Sequence, residues 1–168
     1  MTAQGYPPSL PLVGATAVAV WLLAATLAFA QDVPRVIPDP ALTPGVVAST
    51  DQALVCATGA QSYSKQHRQT SAAMKAAVRK AYGMPRCGEI DHRLPLALGG
   101  ADDVKNLWCQ PGAPEPWGYT VKDRLETHVW EMTCHQHTMT LAQAQAIFLA
   151  PDWRPAFCKL IGGAPCPP

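Results

Sequence analysis

The chain has 168 residues, with 13 lysines and arginines against 12 acidic residues and a formal net charge of +1. Near-neutrality excludes a strongly basic protein that coats nucleic acid through charge alone. The length excludes more than one or two ordinary domains.

In chain order, residues 13–30 are almost purely apolar, and Ala28-Phe29-Ala30 places small residues where signal peptidase cuts. Residues 1–30 therefore read as a secretory signal cleaved after Ala30. Residues 1–12 lack Lys and Arg, so an uncleaved N-terminal membrane anchor is the competing reading. Removal of the signal leaves 138 residues, one domain's worth, and all the formal charges lie in that part.

Residues 31–50, with Pro34, Pro38, Pro40 and Pro44, read as a proline-rich extended tether. Residues 53–56 are expected to be a short extended segment. Ser71 is placed to cap a helix over residues 72–82, rich in Ala, Lys and Arg, which Gly83-Met84-Pro85 stops. Lys65, His67, Arg68, Lys75, Arg79, Lys80 and Arg86 crowd this stretch. They form either a grip for backbone phosphates or a solvated helix face. After a proline-bearing loop at 111–117, residues 120–133 carry Val121, Leu125, His128/Val129 and Met132 on one helical face. Thr140 is placed to cap a last helix over 141–149, ended by Pro151. Trp108, Trp117, Trp130 and Trp153 are expected to fill a small core rather than stack on bases.

Six cysteines, Cys56, Cys87, Cys109, Cys134, Cys158 and Cys166, all follow the apolar leader. An even number in an exported chain points to disulfides, and six cysteines allow about 15 pairings. Cys87 and Cys109 flank the central motif, and Cys158 and Cys166 are spaced to close a small terminal loop. A structural zinc site is the weaker alternative, since no Cys-x-x-Cys pair is present.

The richest stretch is Glu89-Ile90-Asp91-His92-Arg93-Leu94-Pro95-Leu96, followed by Gly99-Gly100 and Asn106-Leu107-Trp108. Phosphodiester hydrolysis needs a base near neutrality, which imidazole supplies, and a cation that prefers carboxylate oxygen. His92 and Asp91 fit those roles. Neighbouring strand residues face opposite sides, so the two serve one site only if the strand ends or twists there, as Pro95 would permit. The double glycine turns the chain. Asn106 then returns an amide that can orient the imidazole or reach the metal. Glu89 shares the strand face of Asp91 and either assists the metal or is a plain exposed charge.

These residues resemble the HNH endonuclease family, whose ββα-metal core reads Asp-His, then Asn, then a third ligand on a helix. More narrowly they resemble small exported bacterial proteins with a DHxxPLxLGG…NLWPQ…KDxLE pattern. Here that pattern is carried by Asp91, His92, Pro95, Leu96, Leu98, Gly99, Gly100, Asn106, Leu107, Trp108, Gln110, Lys122, Asp123, Leu125 and Glu126. The resemblance implies an α+β fold for residues 51–168: a ββα-metal core with flanking helices, stapled by disulfides. The third ligand is missing, because the corresponding positions are Gly118, Tyr119 and Thr120. Asp123, Glu126 or His128 are the substitutes in reach.

The expectation is a periplasmic or secreted endonuclease, metal-dependent and acting on DNA, or on RNA, with no stable membrane partner once the signal is removed. His92 and Asn106 are the catalytic candidates, Asp91, Asn106 and Asp123 the metal candidates, and Lys75, Arg79, Arg93 and Lys122 the substrate-binding candidates. Mg²⁺ or Mn²⁺ is the expected cofactor, with Zn²⁺ as alternative. A noncatalytic exported module of the same scaffold, binding nucleic acid or a protein, is the second expectation.

Overall fold

The computed structural model describes Met1, residues 36–112 and residues 116–166. The signal-peptide reading lies outside the described residues. Among the described residues the fold is α+β, six α-helices with one two-stranded antiparallel sheet.

The three helices expected over 72–82, 120–133 and 141–149 form within a residue of those bounds, and short helices that the sequence did not suggest join them. Helix α1 is Gln52–Val55, α2 is Tyr63–His67 and α3 is Ala72–Tyr82. The Ser71 hydroxyl accepts from the Met74 N–H at 3.2 Å at the start of α3, and Gly83 ends it at φ 65°. That left-handed conformation is one glycine adopts without a Cβ penalty. Strands β1 (Glu89–His92) and β2 (Leu107–Gln110) pair with Glu89 opposite Gln110 and His92 opposite Leu107. Helix α4 is Tyr119–Cys134, one residue longer at each end than its periodicity suggests, and α5 is Leu141–Leu149. Thr140 and Gln143 cap α5 reciprocally, satisfying two otherwise orphaned donors. Helix α6 is Arg154–Leu160.

Two expectations fail here. Residues 53–56 are not extended, because the Asp51 carboxylate accepts from the N–H groups of Ala53 and Leu54 at 2.9 and 3.1 Å and starts α1 instead. The described part of the leader is no free tether either. The Thr43 hydroxyl is buried and donates to the Leu107 carbonyl at 2.7 Å. The Gly45 N–H donates to the Lys105 carbonyl, and those of Ala48 and Ser49 donate to that of Gly99. Proline-rich composition sets local stiffness, but these donors gain partners only by docking on the domain.

The larger core gathers Leu94, Leu98, Leu125, Val129, Phe148, Trp153 and Phe157 among its members, and a second joins Val78 and Met84 to Leu107 and Cys109 of β2. Disulfides Cys56–Cys134, Cys87–Cys109 and Cys158–Cys166 use all six cysteines. The last two are the bridges whose positions the sequence suggests. Three disulfides fit folding in an oxidising compartment. Among the described residues, no helix is long and apolar enough to cross a membrane.

Candidate active site

Leu94 to Gly100 is a tight loop between the strands, and its glycines are there for space. A Cβ on Gly100 would sit 2.0 Å from the Leu94 carbonyl oxygen, and Gly99 has φ 81°. Asn106 fastens this loop. Its amide oxygen accepts from the N–H groups of Leu94 and Val46 at 3.0 and 3.3 Å, and its Nδ2 donates to the carbonyls of Leu94 and Ala101 at 2.9 and 2.8 Å. The side chain is fully buried. Asn106 therefore neither orients the imidazole nor is free for a metal; it holds the backbone that carries His92. Asn106→Ala would leave several buried backbone groups unpaired, and we expect a loss of about 2–4 kcal/mol in urea denaturation. A change below about 0.5 kcal/mol would contradict the clamp.

Strand alternation separates Asp91 from His92 even though β1 ends at His92. Asp91 meets α4. There the fully buried Lys122 ammonium donates to Asp91 Oδ2 at 2.6 Å, to the His92 carbonyl at 2.7 Å, and to Glu126 Oε1. Burial alone would lower the Lys122 pKa, but the two carboxylates more than offset this and hold it above its ordinary value. One cation faces two carboxylates, so burial and the Asp91 charge push Glu126 up to about 7 against the pull of Lys122.

That shift has a stability consequence. A carboxyl group whose folded pKa lies above its unfolded value near 4.5 favours the folded state when protonated. Stability is therefore lost as pH rises from about 4.5 to about 7. Glu126→Gln should remove this slope, making the change from pH 5 to 8 differ from wild type by about 2 kcal/mol in urea denaturation. Parallel stability curves for the two proteins would refute it. His92, with a lowered pKa, contributes the opposite slope below about pH 6.5 in both proteins, so the comparison isolates Glu126.

His92 lies on the other side, 4% exposed, with Nε2 2.9 Å from Asp102 Oδ1. Asp102 is itself held by the Thr70 hydroxyl at 2.6 Å and by the Gln69 N–H. Burial would raise the Asp102 pKa, but hydrogen bonds from Thr70, His92 and Gln69 outweigh it and keep the carboxylate ionised. Burial lowers the His92 pKa despite the nearby charges of Asp102 and Asp91, which leaves a neutral ring at neutral pH. With Nε2–H donated to Asp102, the lone pair sits on Nδ1. A neutral imidazole oriented by a carboxylate is the arrangement that general-base chemistry requires.

The ring borders a polar cleft of about 370 Å³ whose walls include Arg68, Thr70, Lys75, Arg79 and Glu89. Lys75 and Arg79 share a face of α3 at i, i+4 spacing, and Arg68 follows α2. Cys87, bridged to Cys109, lies on the same wall. Desolvation, then the charges of Asp91 and Asp123, raise the Glu89 pKa against Lys122 and Arg68.

The structure thus brings Lys75 and Arg79 to His92, and withdraws two other expected phosphate ligands. Arg93 is buried, its guanidinium donating to the carbonyls of Thr43, Phe148, Leu149 and Ala150. Lys122 is occupied as described. The expected metal residues do not assemble: Asp91 is tied to Lys122, Asn106 to backbone, and Asp123 is exposed on α4. Among the described residues no group of three or more His, Cys, Asp or Glu side chains is placed to hold a metal ion.

Asp102 and Thr70 are functional candidates that sequence reasoning missed. The available signal is the Asp102-Asp103 pair after the double glycine. Asp103 caps the following turn through the Lys105 N–H, which leaves Asp102 for another partner. No family model, no curated protein and no solved structure matches this chain.

Proposed function

We propose that this is an exported nuclease that cleaves phosphodiester bonds of nucleic acid in the cleft beside β1, on a scaffold of the ββα type. One observation carries the reading: a neutral histidine, oriented by an ionised carboxylate, borders a cleft walled by three cationic side chains. His92 accepts the proton of the attacking hydroxyl, and Asp102 stabilises the imidazolium that results. Arg68, Lys75 and Arg79 bind the phosphate and offset the charge that builds on it. The expected divalent cation is not carried into this proposal, because Asp91 and Asn106 are engaged elsewhere and Asp123 is not joined by other ligands.

The test is cleavage of plasmid DNA and of RNA by the oxidised protein, each with EDTA and with Mn²⁺, against His92→Ala. Loss of a general base should lower the rate by about 10²–10⁴-fold. Equal rates for the two proteins would remove His92 from the chemistry. That no metal-ligand group is assembled among the described residues also favours a second reading, a noncatalytic module that binds nucleic acid in this cleft. It predicts salt-dependent binding weakened by Lys75→Ala and Arg79→Ala, with no cleavage under any condition.

A further inference from the structure

We infer that the cleft acts on RNA, and that cleavage proceeds through the substrate's own 2′-hydroxyl, with His92 as base and Glu89 as acid. The inference rests on the nuclease reading above and specifies its substrate. Three observations converge on it. First, the carboxylate that sequence assigns to a divalent cation, Asp91, is bonded to the buried Lys122 ammonium, so it does not help to activate a water molecule. Cleaving DNA by a hydrolytic route needs such a water, whose pKa in bulk is about 15.7 and which a bound metal lowers to about 7. RNA brings a nucleophile already fixed next to the phosphorus, with the advantage of an intramolecular attack.

Second, His92 borders the cleft walled by Arg68, Lys75 and Arg79, and Glu89, at the first position of β1, reaches its rim, where its carboxyl group feels Arg68 on the cleft side as well as Asp91, Asp123 and Lys122 on the other. In-line displacement at phosphorus asks for a base at the attacking oxygen, an acid at the leaving oxygen, and positive charge around the nonbridging oxygens. The cleft contains each of these. Third, the cleft's volume of about 370 Å³, within the range of about 300–1,000 Å³ for ligand pockets, has room for a phosphate and its adjoining nucleoside.

The step balances without a co-reactant. His92 Nδ1 takes the 2′-hydroxyl proton, the O2′–P bond forms, and the P–O5′ bond breaks. The leaving O5′ takes the proton of the Glu89 carboxyl group. The products are a 2′,3′-cyclic phosphate and a free 5′-hydroxyl, and the two side chains reset by exchanging protons with water. The 2′-hydroxyl, which separates RNA from DNA chemically, is here the reacting group itself.

The experiment uses the full chain with its disulfides formed and three oligonucleotides of one sequence: RNA, 2′-O-methyl RNA and DNA, each with EDTA or Mn²⁺. The expected result is cleavage of RNA alone, unaffected by EDTA, with mass spectrometry showing 2′,3′-cyclic phosphate ends. Glu89→Gln, on an exposed side chain, should fold as wild type by circular dichroism and cleave at least about tenfold more slowly. Cleavage of DNA or 2′-O-methyl RNA, or a strict Mn²⁺ requirement with 3′-hydroxyl ends, would overturn the inference while the nuclease reading stands. Absence of cleavage of all three polymers in both conditions would overturn the nuclease reading and this inference with it.

Discussion

Replacing Cys56 and Cys134 together by serine is expected to cost about 4 kcal/mol, the largest effect of opening any one of the three bridges. The reason is chain entropy. This bridge closes 78 residues, against 22 for Cys87–Cys109 and 8 for Cys158–Cys166. Loop closure alone gives roughly 4.5, 3.4 and 2.5 kcal/mol for loops of these lengths. A folded domain typically has about 5–15 kcal/mol in all, so the first loss consumes much of the margin. The bridge also pins α1 to the last residue of α4, and the Gln52 amide repeats that link by donating to the Thr133 carbonyl at 3.1 Å. Urea denaturation of the three double-serine variants checks the ranking. If opening Cys158–Cys166 proved the most costly, the entropic account would fail for this fold. Opening Cys87–Cys109 should in addition lower any cleavage activity, since Cys87 lines the wall that carries Glu89.

The second large effect is at Lys122. Lys122→Met keeps most of the volume but leaves the Asp91 and Glu126 carboxylates facing each other without a cation, and removes a donor from the His92 carbonyl. Breaking a buried pair from one side costs about 3–5 kcal/mol, because an uncompensated charge stays behind. The triple variant Lys122→Met, Asp91→Asn, Glu126→Gln should recover most of that loss. Thermal and urea denaturation of both proteins checks this. A harmless single substitution would mean that Lys122 does not anchor the cluster, and a triple variant as unstable as the single one would assign the cost to packing instead.

The phosphate-binding expectation for Lys122 fails for a reason that chain order does not display. A lysine on a polar helix face looks the same in sequence whether it meets water or a carboxylate from a strand 31 positions earlier. Arg93 misleads in the same way. It stands next to the motif histidine, but its guanidinium makes four hydrogen bonds to carbonyls at the end of α5 and in the leader.

What the sequence by itself determined is local. Caps at Ser71 and Thr140, the glycine stop at Gly83, the short strands around the double glycine and two of the three bridges follow from contacts only a few tens of residues apart at most. Steric and hydrogen-bond preferences act at that range, so residue types suffice to read them. The tertiary structure alone decided the third bridge, the docking of residues 36–50, and the division of labour around His92. Asp102 reaches the ring across a 10-residue turn and is fixed in place by Thr70, 32 positions upstream. Lys122 takes the carboxylate, Asp91, that the sequence reading assigns to a metal. Both outcomes depend on which buried charges find partners when the helices close over the sheet, and that balance of desolvation against pairing is set by three-dimensional neighbours, not by spacing along the chain.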